Sequence, residues 1–281
     1  MDVTIAALLG DIKKDHFLRL DVEVLLAFVL GVSRAYLHTW PQQVVSDEDS
    51  QRFKSLWARR LQGEPLAYLL GYRQFWSLTL KVTPDVLIPR PETELLVEQA
   101  LAFGEKKETP FRVLDLGTGS GAIALALAVE HPEWEISAID KSVAALDVAR
   151  ENAQNLRIDN IQFYHSDWFA VFQPAVSCFD VIIANPPYIH PSDKHLQAGD
   201  LRYEPKQALI SAPDGLTDLG KIIQEAPHYL VAGSWLMVEH GFDQADSVAA
   251  FMLSQGFTQV QNIKDLAGIE RVTIGYRSLN L

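Results

Sequence analysis

One stretch of sequence decides the fold: Phe111-Arg112-Val113-Leu114-Asp115-Leu116-Gly117-Thr118-Gly119-Ser120-Gly121, which runs directly into the apolar segment 122–129. The apolar start is typical of a short buried strand, and residues 122–129 predict an apolar helix. The alternate glycines between them let the backbone turn and approach a ligand without a Cβ clash. The helix N-terminus adds free N–H groups for a carboxylate or phosphate. We therefore expect a ligand at Gly117, Thr118, Gly119, Ser120 and Gly121.

Strands and helices alternate from this stretch onward. Segments 111–115, 135–139, 161–165 and 179–184 predict strands, and segments 122–129 and 143–155 predict helices between them. A helix around 219–230, a strand over 235–239, a helix over 244–253 and closing strands near 258–263 and 271–276 follow. This alternation predicts an α/β fold with a mostly parallel sheet and helices on both faces. Ligands in such folds bind at the carboxyl ends of the strands.

The N-terminal part of the chain has a different pattern. Ser46 is a suitable N-cap for a helix whose apolar residues share one face, and Gly63 stands where that helix should stop. Alternation over residues 72–83 predicts a short strand or hairpin, and Pro91 suits the first turn of a new helix. We expect a helical domain over residues 1–70, a β-hairpin linker over 71–90 and the α/β domain over 91–281.

Composition and charge limit the classes of function. The chain has 281 residues, of which 48% are hydrophobic and 21% charged, as in an ordinary globular protein. Residues 1–90 carry a net charge of +1 and the remainder carries −13, which makes the second part a poor partner for a phosphate backbone.

The sequence also predicts a cytoplasmic protein. The single cysteine, Cys178, rules out an internal disulfide and fits a reducing compartment; it is expected to be a small buried residue. Residues 1–10 lack the basic start of a secretory signal. The apolar stretch 22–31 contains Glu23 and is too short to span a membrane.

Two acids fall at successive strand ends beside the glycine run. Asp140 ends the second predicted strand, where a carboxylate can accept hydrogen bonds from both ribose hydroxyls of an adenosine. Asp167 and Trp168 follow the third strand, where the acid can accept the adenine amine and the indole can cover the ring. Because Gly117, Gly119 and Ala122 also satisfy the relaxed dinucleotide pattern, these residues alone leave the cofactor open.

The fourth predicted strand runs into Asn185-Pro186-Pro187-Tyr188. Two prolines stiffen the turn and remove two N–H groups, so that backbone carbonyls remain as acceptors. The Asn185 side-chain oxygen and the Pro186 carbonyl suit the two hydrogens of an –NH2 group on a planar carbon, and Tyr188 can cover its flat face. Such acceptors place electron density on a weakly nucleophilic nitrogen and stabilise the charge that develops during methyl transfer. We therefore expect catalysis at Asn185, Pro186 and Tyr188.

A metal site is not expected. His190, Asp193 and His195 match no standard ligand spacing and look like part of a loop after the proline turn. Ser120 has no nucleophile elbow around it.

Together these residues resemble the HemK/PrmC family, the peptide-chain release factor glutamine N5-methyltransferases. The resemblance covers most of the chain. Its motifs are Pro65-Leu66-Ala67-Tyr68, Leu87-Ile88-Pro89-Arg90-Pro91-Glu92-Thr93-Glu94, residues 113–126, Asp167-Trp168, Asn185-Pro186-Pro187-Tyr188-Ile189, Glu204-Pro205 with Ala208-Leu209, Glu239-His240-Gly241 and Asp265-Leu266-Ala267-Gly268.

The resemblance implies a seven-stranded, Rossmann-like methyltransferase domain behind a small helical domain that recognises the substrate. It implies S-adenosylmethionine as the methyl donor, S-adenosylhomocysteine as the product and no metal. The cofactor would be held by residues 117–121, Asp140, Asp167, Trp168 and Asn185. The substrate would be the glutamine in the Gly-Gly-Gln loop of release factors, held by Asn185, Pro186, Pro187 and Tyr188, with no direct contact to nucleic acid or membrane.

Two other functions compete with this one. An adenine-N6 methyltransferase acting on DNA or RNA would offer the same –NH2 group to the same loop. The acidic second part and the lack of a basic run interleaved with aromatics count against it. An idle domain that binds adenosylmethionine or NAD as an adaptor would not need paired acceptors for an –NH2 group.

Overall fold

The computed structural model describes residues 3–10, 19–105, 110–174 and 179–278, so Cys178 lies outside the described residues. The chain divides into two compact units. The first contains Met1–Gly71 together with Ala198–Tyr203, and the second contains Tyr72–Gln197 together with Glu204–Leu281. The residues expected to form a linker over 71–90 therefore belong almost entirely to the second unit.

The first unit is helical. Its helices are α1 (Ile5–Gly10), α2 (Arg19–Leu30), α3 (Arg34–Thr39), α4 (Asp47–Leu61) and α5 (Leu66–Leu70). The predicted cap is present, since Ser46 Oγ accepts a hydrogen bond from Asp49 N at 3.1 Å. Phe53 on α4 is buried among apolar residues of α1, α2, α3 and α5. Gly63 follows the helix with φ +95°, which suits a stop.

The segment Ala198–Tyr203 belongs to this unit although it is remote in sequence. The Tyr203 hydroxyl donates to the Gln62 carbonyl at 2.9 Å, and the Arg202 guanidinium donates to the same oxygen. Asp200 lies 3.7 Å from the guanidinium of Arg60 on α4. Nothing in the local sequence pattern of this segment predicts that partnership.

The second unit begins with the predicted hairpin, in which β1 (Tyr72–Phe75) pairs antiparallel with β2 (Leu78–Lys81). A single 3-10 turn, Pro91–Thr93, then leads into α6 (Glu94–Gly104). This matches the helix start predicted at Pro91.

A seven-stranded sheet forms the centre of the second unit, with the order β5-β4-β3-β6-β7-β9-β8. Its strands are β3 (Arg112–Leu116), β4 (Glu135–Asp140), β5 (Ile161–His165), β6 (Phe179–Ala184), β7 (Leu230–Glu239), β8 (Thr258–Lys264) and β9 (Glu270–Arg277). The first five strands in this order are parallel, and β9 is antiparallel to both of its neighbours. The predicted α/β class with a mostly parallel sheet is confirmed.

Helices cover both faces of the sheet: α7 (Ala122–Glu130), α8 (Val143–Leu156), α9 (Thr217–Glu225) and α10 (Ala245–Ser254), besides α6. Successive strand residues point to opposite faces, so Val113 packs in one apolar cluster with α6 and α7 while Leu114 packs in the other with α9 and α10. Seven consecutive residues of α7 are buried, which explains its uniformly apolar sequence.

Two predicted boundaries were wrong. The helix expected around residues 219–230 ends at Glu225 and is followed by a 3-10 turn, because Pro227 has no N–H to continue a helical ladder. Strand β7 starts at Leu230, five residues before the prediction. Gly233, with φ +85°, interrupts the apolar pattern and concealed this first part of the strand.

Asn152 on α8 ties the hairpin to the glycine loop. Its Oδ1 accepts from Lys81 N at 2.7 Å, and its Nδ2 donates to Lys81 O at 3.0 Å and to Ser120 O at 2.9 Å. The side chain is 2% exposed, so water cannot replace these partners.

We expect Asn152→Ala to lower the free energy of unfolding by about 2–4 kcal/mol, because buried backbone groups lose their partners. Urea unfolding measures the change. Asn155→Ala is the matched control, since Asn155 is exposed on the same helix and should change stability by less than about 0.5 kcal/mol. Equal stability of the two variants would contradict the bridging role.

Candidate functional site

A cavity lies at the carboxyl ends of β3, β4, β5 and β6, with an empty volume of about 650 Å³. Its wall contains Gly117, Gly119, Asp140, Asp167, Trp168, Asn185 and Pro187 from the predicted site. Parallel pairing explains this, since Leu116 is paired with both Ile139 and Ala184, so three strand ends lie side by side. The structure thus brings the two acids, the glycine loop and the proline turn to one place.

The glycine loop needs its glycines. Gly117 has φ +75° and Gly121 has φ +85°, a conformation that side chains with a Cβ rarely adopt. A Cβ on Gly121 would also lie 2.9 Å from Leu125 Cδ1. The loop is fixed from β4, because Gly117 N and Thr118 N both donate to Ile139 O, at 2.9 and 2.8 Å.

Asp140 holds the loop as well as facing the cavity. Its Oδ2 accepts from Gly119 N at 2.9 Å, and its Oδ1 accepts from Ser142 N at 2.8 Å. Burial raises the pKa of this carboxyl group, and the two backbone donors oppose that rise. Each carboxylate oxygen keeps a further lone pair, so Asp140 can still accept hydroxyl groups of a ligand.

Asp115 is a second acid under the loop. It is 1% exposed, and its Oδ2 accepts from the Thr118 hydroxyl at 2.6 Å. Its Oδ1 has no hydrogen bond of regular geometry among the described residues, although the Ala124 backbone N–H helps to lower the pKa of this carboxyl group. Burial raises the pKa of Asp115 to about 7, against the lowering effect of the Thr118 bond.

Trp168 closes the cavity beside the glycine loop. Its φ is +47°, which is unusual for a bulky residue and typical of strain held at functional positions. A Cβ added to Gly117 would lie 3.5 Å from the indole ring, so that glycine keeps the space beside the ring open. The buried indole N–H has no acceptor in the described part of the chain. Asp167 is exposed at the rim.

The proline turn is anchored from several sides. Asn185 Nδ2 donates to Thr93 Oγ1 at 3.1 Å, and the Tyr188 hydroxyl donates to Glu239 Oε1 at 3.1 Å. The Tyr188 carbonyl accepts from Gln244 Nε2 at 3.0 Å. In the described structure Asn185 and Pro187 belong to the cavity wall, whereas Pro186 and Tyr188 do not.

Glu239 lies at the centre of this anchoring. It ends β7, is 2% exposed, and its Oε2 accepts from the Thr93 hydroxyl at 2.6 Å. Burial raises its pKa to about 7, although the bonds from Thr93 and Tyr188 favour the charged form. Burial and the neighbouring Glu239 also raise the pKa of Tyr188, so the phenol keeps its proton.

Sequence reasoning assigned no chemistry to several of these residues. Thr93 and Glu239 lie within motifs that carry the family resemblance, but nothing local shows that they meet. The cavity wall also includes Val86, Leu87, Gln207 and Ala208, which no sequence signal marked as ligand contacts.

His190, Asp193 and His195, which were not expected to bind a metal, lie in a surface loop. His195 Nδ1 lies 2.7 Å from Asp193 Oδ1, with the His195 side chain 67% exposed. Within residues 3–10, 19–105, 110–174 and 179–278, no three His, Cys, Asp or Glu side chains converge on a possible metal position. Over the same ranges, no helix is long and apolar enough to cross a membrane.

The sequence matches known methyltransferases over most of its length. Residues 107–268 match the family described as a methyltransferase domain, and residues 12–71 match the PrmC N-terminal domain. The chain is 48% identical over 259 residues to the release factor glutamine methyltransferase of Coxiella burnetii, covering 92% of each. It is 46% identical to that of Escherichia coli K12, covering 92% of this chain and 91% of the relative. For Pseudomonas aeruginosa the identity is 46%, with 97% and 98% covered.

Solved structures agree on the fold. The hMettl16 catalytic domain in complex with an RNA hairpin has a TM-score of 0.59 at 13% identity, with 85% of each chain covered. A Thermus thermophilus 16S rRNA methyltransferase in complex with AdoMet and guanosine has a TM-score of 0.55 at 19% identity, covering 73% of this chain and 49% of that one. At these identities the likeness shows the fold alone.

We predict a pH effect on stability from Glu239. Its pKa is higher in the folded protein, about 7, than the ordinary value of 4.5, so the folded state binds the proton more tightly. Stability should therefore fall as pH rises from about 4.5 to 7, by about 2–3 kcal/mol from this group. Urea unfolding of the wild type and of Glu239→Gln is measured between about pH 4.5 and 7. The contribution of Glu239 is the change with pH in the difference between their free energies of unfolding.

Glu225→Gln is the control, because Glu225 is exposed, so the same substitution there separates the effect of burial from that of the amide itself. A pH-independent difference between the wild type and Glu239→Gln would contradict the raised pKa.

Proposed function

Since the chain belongs to the release factor glutamine methyltransferase family, we propose that it transfers a methyl group from S-adenosylmethionine to the side-chain amide nitrogen of the glutamine in the Gly-Gly-Gln loop of peptide-chain release factors. The observation that carries this proposal is the shared cavity. Asn185, which directly follows β6, lines the same space as Gly117, Asp140 and Trp168. An acceptor for an –NH2 group therefore stands beside a pocket suited to an adenosine.

The residues present fit S-adenosylmethionine. Asp140 can accept ribose hydroxyls, and the indole ring of Trp168 lines the cavity beside Gly117. The unpartnered, buried N–H of Trp168 adds a donor. When bound, this cofactor supplies an electrophilic methyl group on a sulfonium centre.

The proline turn orients and activates the amide nitrogen that accepts the methyl group. An amide nitrogen is a poor nucleophile because its lone pair is delocalised into the carbonyl group. Asn185 Oδ1 and the Pro186 carbonyl accept its two hydrogens, which hold the nitrogen in line and place more electron density on it. The turn is rigid before the substrate arrives, because Pro186 and Pro187 fix the backbone and Tyr188 is anchored at both its hydroxyl and its carbonyl. Little reorganisation is then required as charge develops.

No residue of the described structure needs to remove a proton before transfer in this scheme. The N–CH3 bond would form as the S–CH3 bond of the sulfonium breaks, and the methylated nitrogen, which is then strongly acidic, would give its extra proton to water. We propose the cytoplasm as the compartment and release factors as the partners, without direct contact to nucleic acid. The net charge of −13 on residues 91–281 supports this choice over an adenine-N6 methyltransferase.

The direct test mixes the purified chain with methyl-labelled S-adenosylmethionine and a bacterial release factor. Parallel reactions contain the same factor with the glutamine of its Gly-Gly-Gln motif replaced, bulk DNA, or bulk RNA. We expect label on the intact factor only. Label on nucleic acid, or on the substituted factor, would overturn the assigned substrate.

We expect Asn185→Ala to reduce the turnover number by about a hundredfold or more, because an acceptor aimed at the reacting nitrogen is removed. The dissociation constant for S-adenosylmethionine, measured by calorimetry, should stay within about tenfold of the wild type. Asn155→Ala, on the exposed side of α8, serves as the control and should leave both quantities unchanged. A turnover number of Asn185→Ala equal to that of the wild type would contradict this mechanism.

A further inference from the structure

A buried chain of hydrogen bonds runs from β7 to the proline turn. Glu239 Oε2 lies 2.6 Å from Thr93 Oγ1, and Thr93 Oγ1 lies 3.1 Å from Asn185 Nδ2. Glu239 is 2% exposed and Thr93 is 4% exposed, so solvent offers neither group another partner. Three side chains from distant parts of the sequence thus share two hydrogen bonds.

The direction of these bonds follows from counting hydrogens. An ionised carboxylate can only accept, and a threonine hydroxyl has a single hydrogen to give. The Thr93 hydrogen is therefore directed at Glu239, which leaves the Thr93 oxygen as an acceptor. Only the –NH2 end of the Asn185 amide can satisfy that oxygen, so the carbonyl end, Oδ1, points away from Thr93.

We propose that Glu239 is a positioning residue which, acting through the Thr93 hydroxyl, determines that the acceptor end of Asn185 and not its –NH2 end is offered to the substrate nitrogen. This inference rests on the proposed function, because it concerns the acceptor that receives the glutamine –NH2 group. It also explains why a buried acid, Glu239, stands at the end of β7.

The chain of bonds reverses when the acid is neutral. A protonated Glu239, or a glutamine in its place, donates a hydrogen to Thr93 Oγ1. The Thr93 hydrogen then turns to Asn185 and bonds its Oδ1, and the Asn185 –NH2 end faces the –NH2 group of the substrate. Two donors facing each other form no hydrogen bond and leave both groups unsatisfied.

The reversal falls near neutral pH. Burial raises the pKa of Glu239 to about 7, with Glu92 raising it further and Arg271, Thr93 and Tyr188 lowering it. Methyl transfer should therefore be faster above this pH than below it. The anchoring of Tyr188 does not reverse, because its hydroxyl can donate to Glu239 in either state.

Four variants separate positioning from simple packing. Thr93→Ser keeps the hydroxyl, Thr93→Val keeps the shape without it, and Glu239→Gln keeps the shape without the charge. Thr273→Val is the matched control, since Thr273 is also a fully buried threonine and is not in the cavity wall described above. Its hydroxyl donates to Asn262 Oδ1 at 2.8 Å and lies 2.9 Å from His240 Nε2, so its removal also breaks two buried hydrogen bonds.

The rate of methyl transfer is measured in a single turnover with release factor and S-adenosylmethionine at saturation. We expect Thr93→Val and Glu239→Gln to be slower than wild type by about thirtyfold to a hundredfold at pH 8, with cofactor affinity within about threefold. Thr93→Ser and Thr273→Val should stay within about threefold of the wild type. The wild-type rate should rise with pH around 7, and the Glu239→Gln rate should not.

A purely structural role would give another pattern. If Thr93→Val or Glu239→Gln transfers the methyl group within threefold of the wild-type rate, or if Thr93→Ser is as slow as Thr93→Val, the proposal is overturned. A rate loss in Thr273→Val equal to that in Thr93→Val overturns it too, because buried threonines would then matter only for packing.

A second measurement needs no substrate and keeps this inference separate from the proposed function. The side-chain amide resonances of Asn185 are assigned in ¹H–¹⁵N spectra by their loss in Asn185→Asp. We expect slow hydrogen exchange of this amide in the wild type and Thr93→Ser, and fast exchange in Thr93→Val. Equal exchange in all three overturns the chain of bonds. Absence of label on the release factor with wild-type enzyme overturns the proposed function, and the exchange rates still decide the inference.

Discussion

The parallel pairing of β3 with β4 and β6 is the constraint on which the rest of the molecule depends. It places Gly117, Asp140 and Asn185 at one edge of the sheet, although they are separated in sequence by complete helices. The glycine loop takes its shape from β4, through hydrogen bonds to Ile139 O and to the Asp140 carboxylate. The glycine loop and the proline turn, which together form the proposed site, are therefore neighbours as a consequence of strand order.

A second constraint acts beneath this edge. The site contains two nearly inaccessible acids, Asp115 and Glu239, whose charged forms are disfavoured by burial. Each one accepts a hydrogen bond from a threonine hydroxyl, Thr118 under the glycine loop and Thr93 under the proline turn. Ordinary core packing would use apolar side chains at such positions. Here each acid instead fixes a threonine beneath one of the two loops that we propose as the ligand site.

Much of the fold was predictable because its signals are local. The glycine run, the strand–helix alternation and the cap at Ser46 depend on residues within a few positions of one another, and each was confirmed. The start of β7 was mistaken because Pro227 and Gly233 disturb the apolar pattern there. The association of residues 198–203 with the helical unit depends on contacts more than a hundred residues away in sequence. Likewise, Thr93 and Glu239 are 146 residues apart, and only the folded sheet brings them together.

In the proposed mechanism Asn185 presents its side-chain oxygen to the nitrogen that becomes methylated. A crystal structure of the chain with S-adenosylhomocysteine and a release factor measures this directly. We expect the glutamine –NH2 group to lie about 2.9 Å from Asn185 Oδ1 and from the Pro186 carbonyl, facing the cofactor sulfur. A glutamine bound away from the proline turn, or one whose carbonyl oxygen faces Asn185, would contradict it.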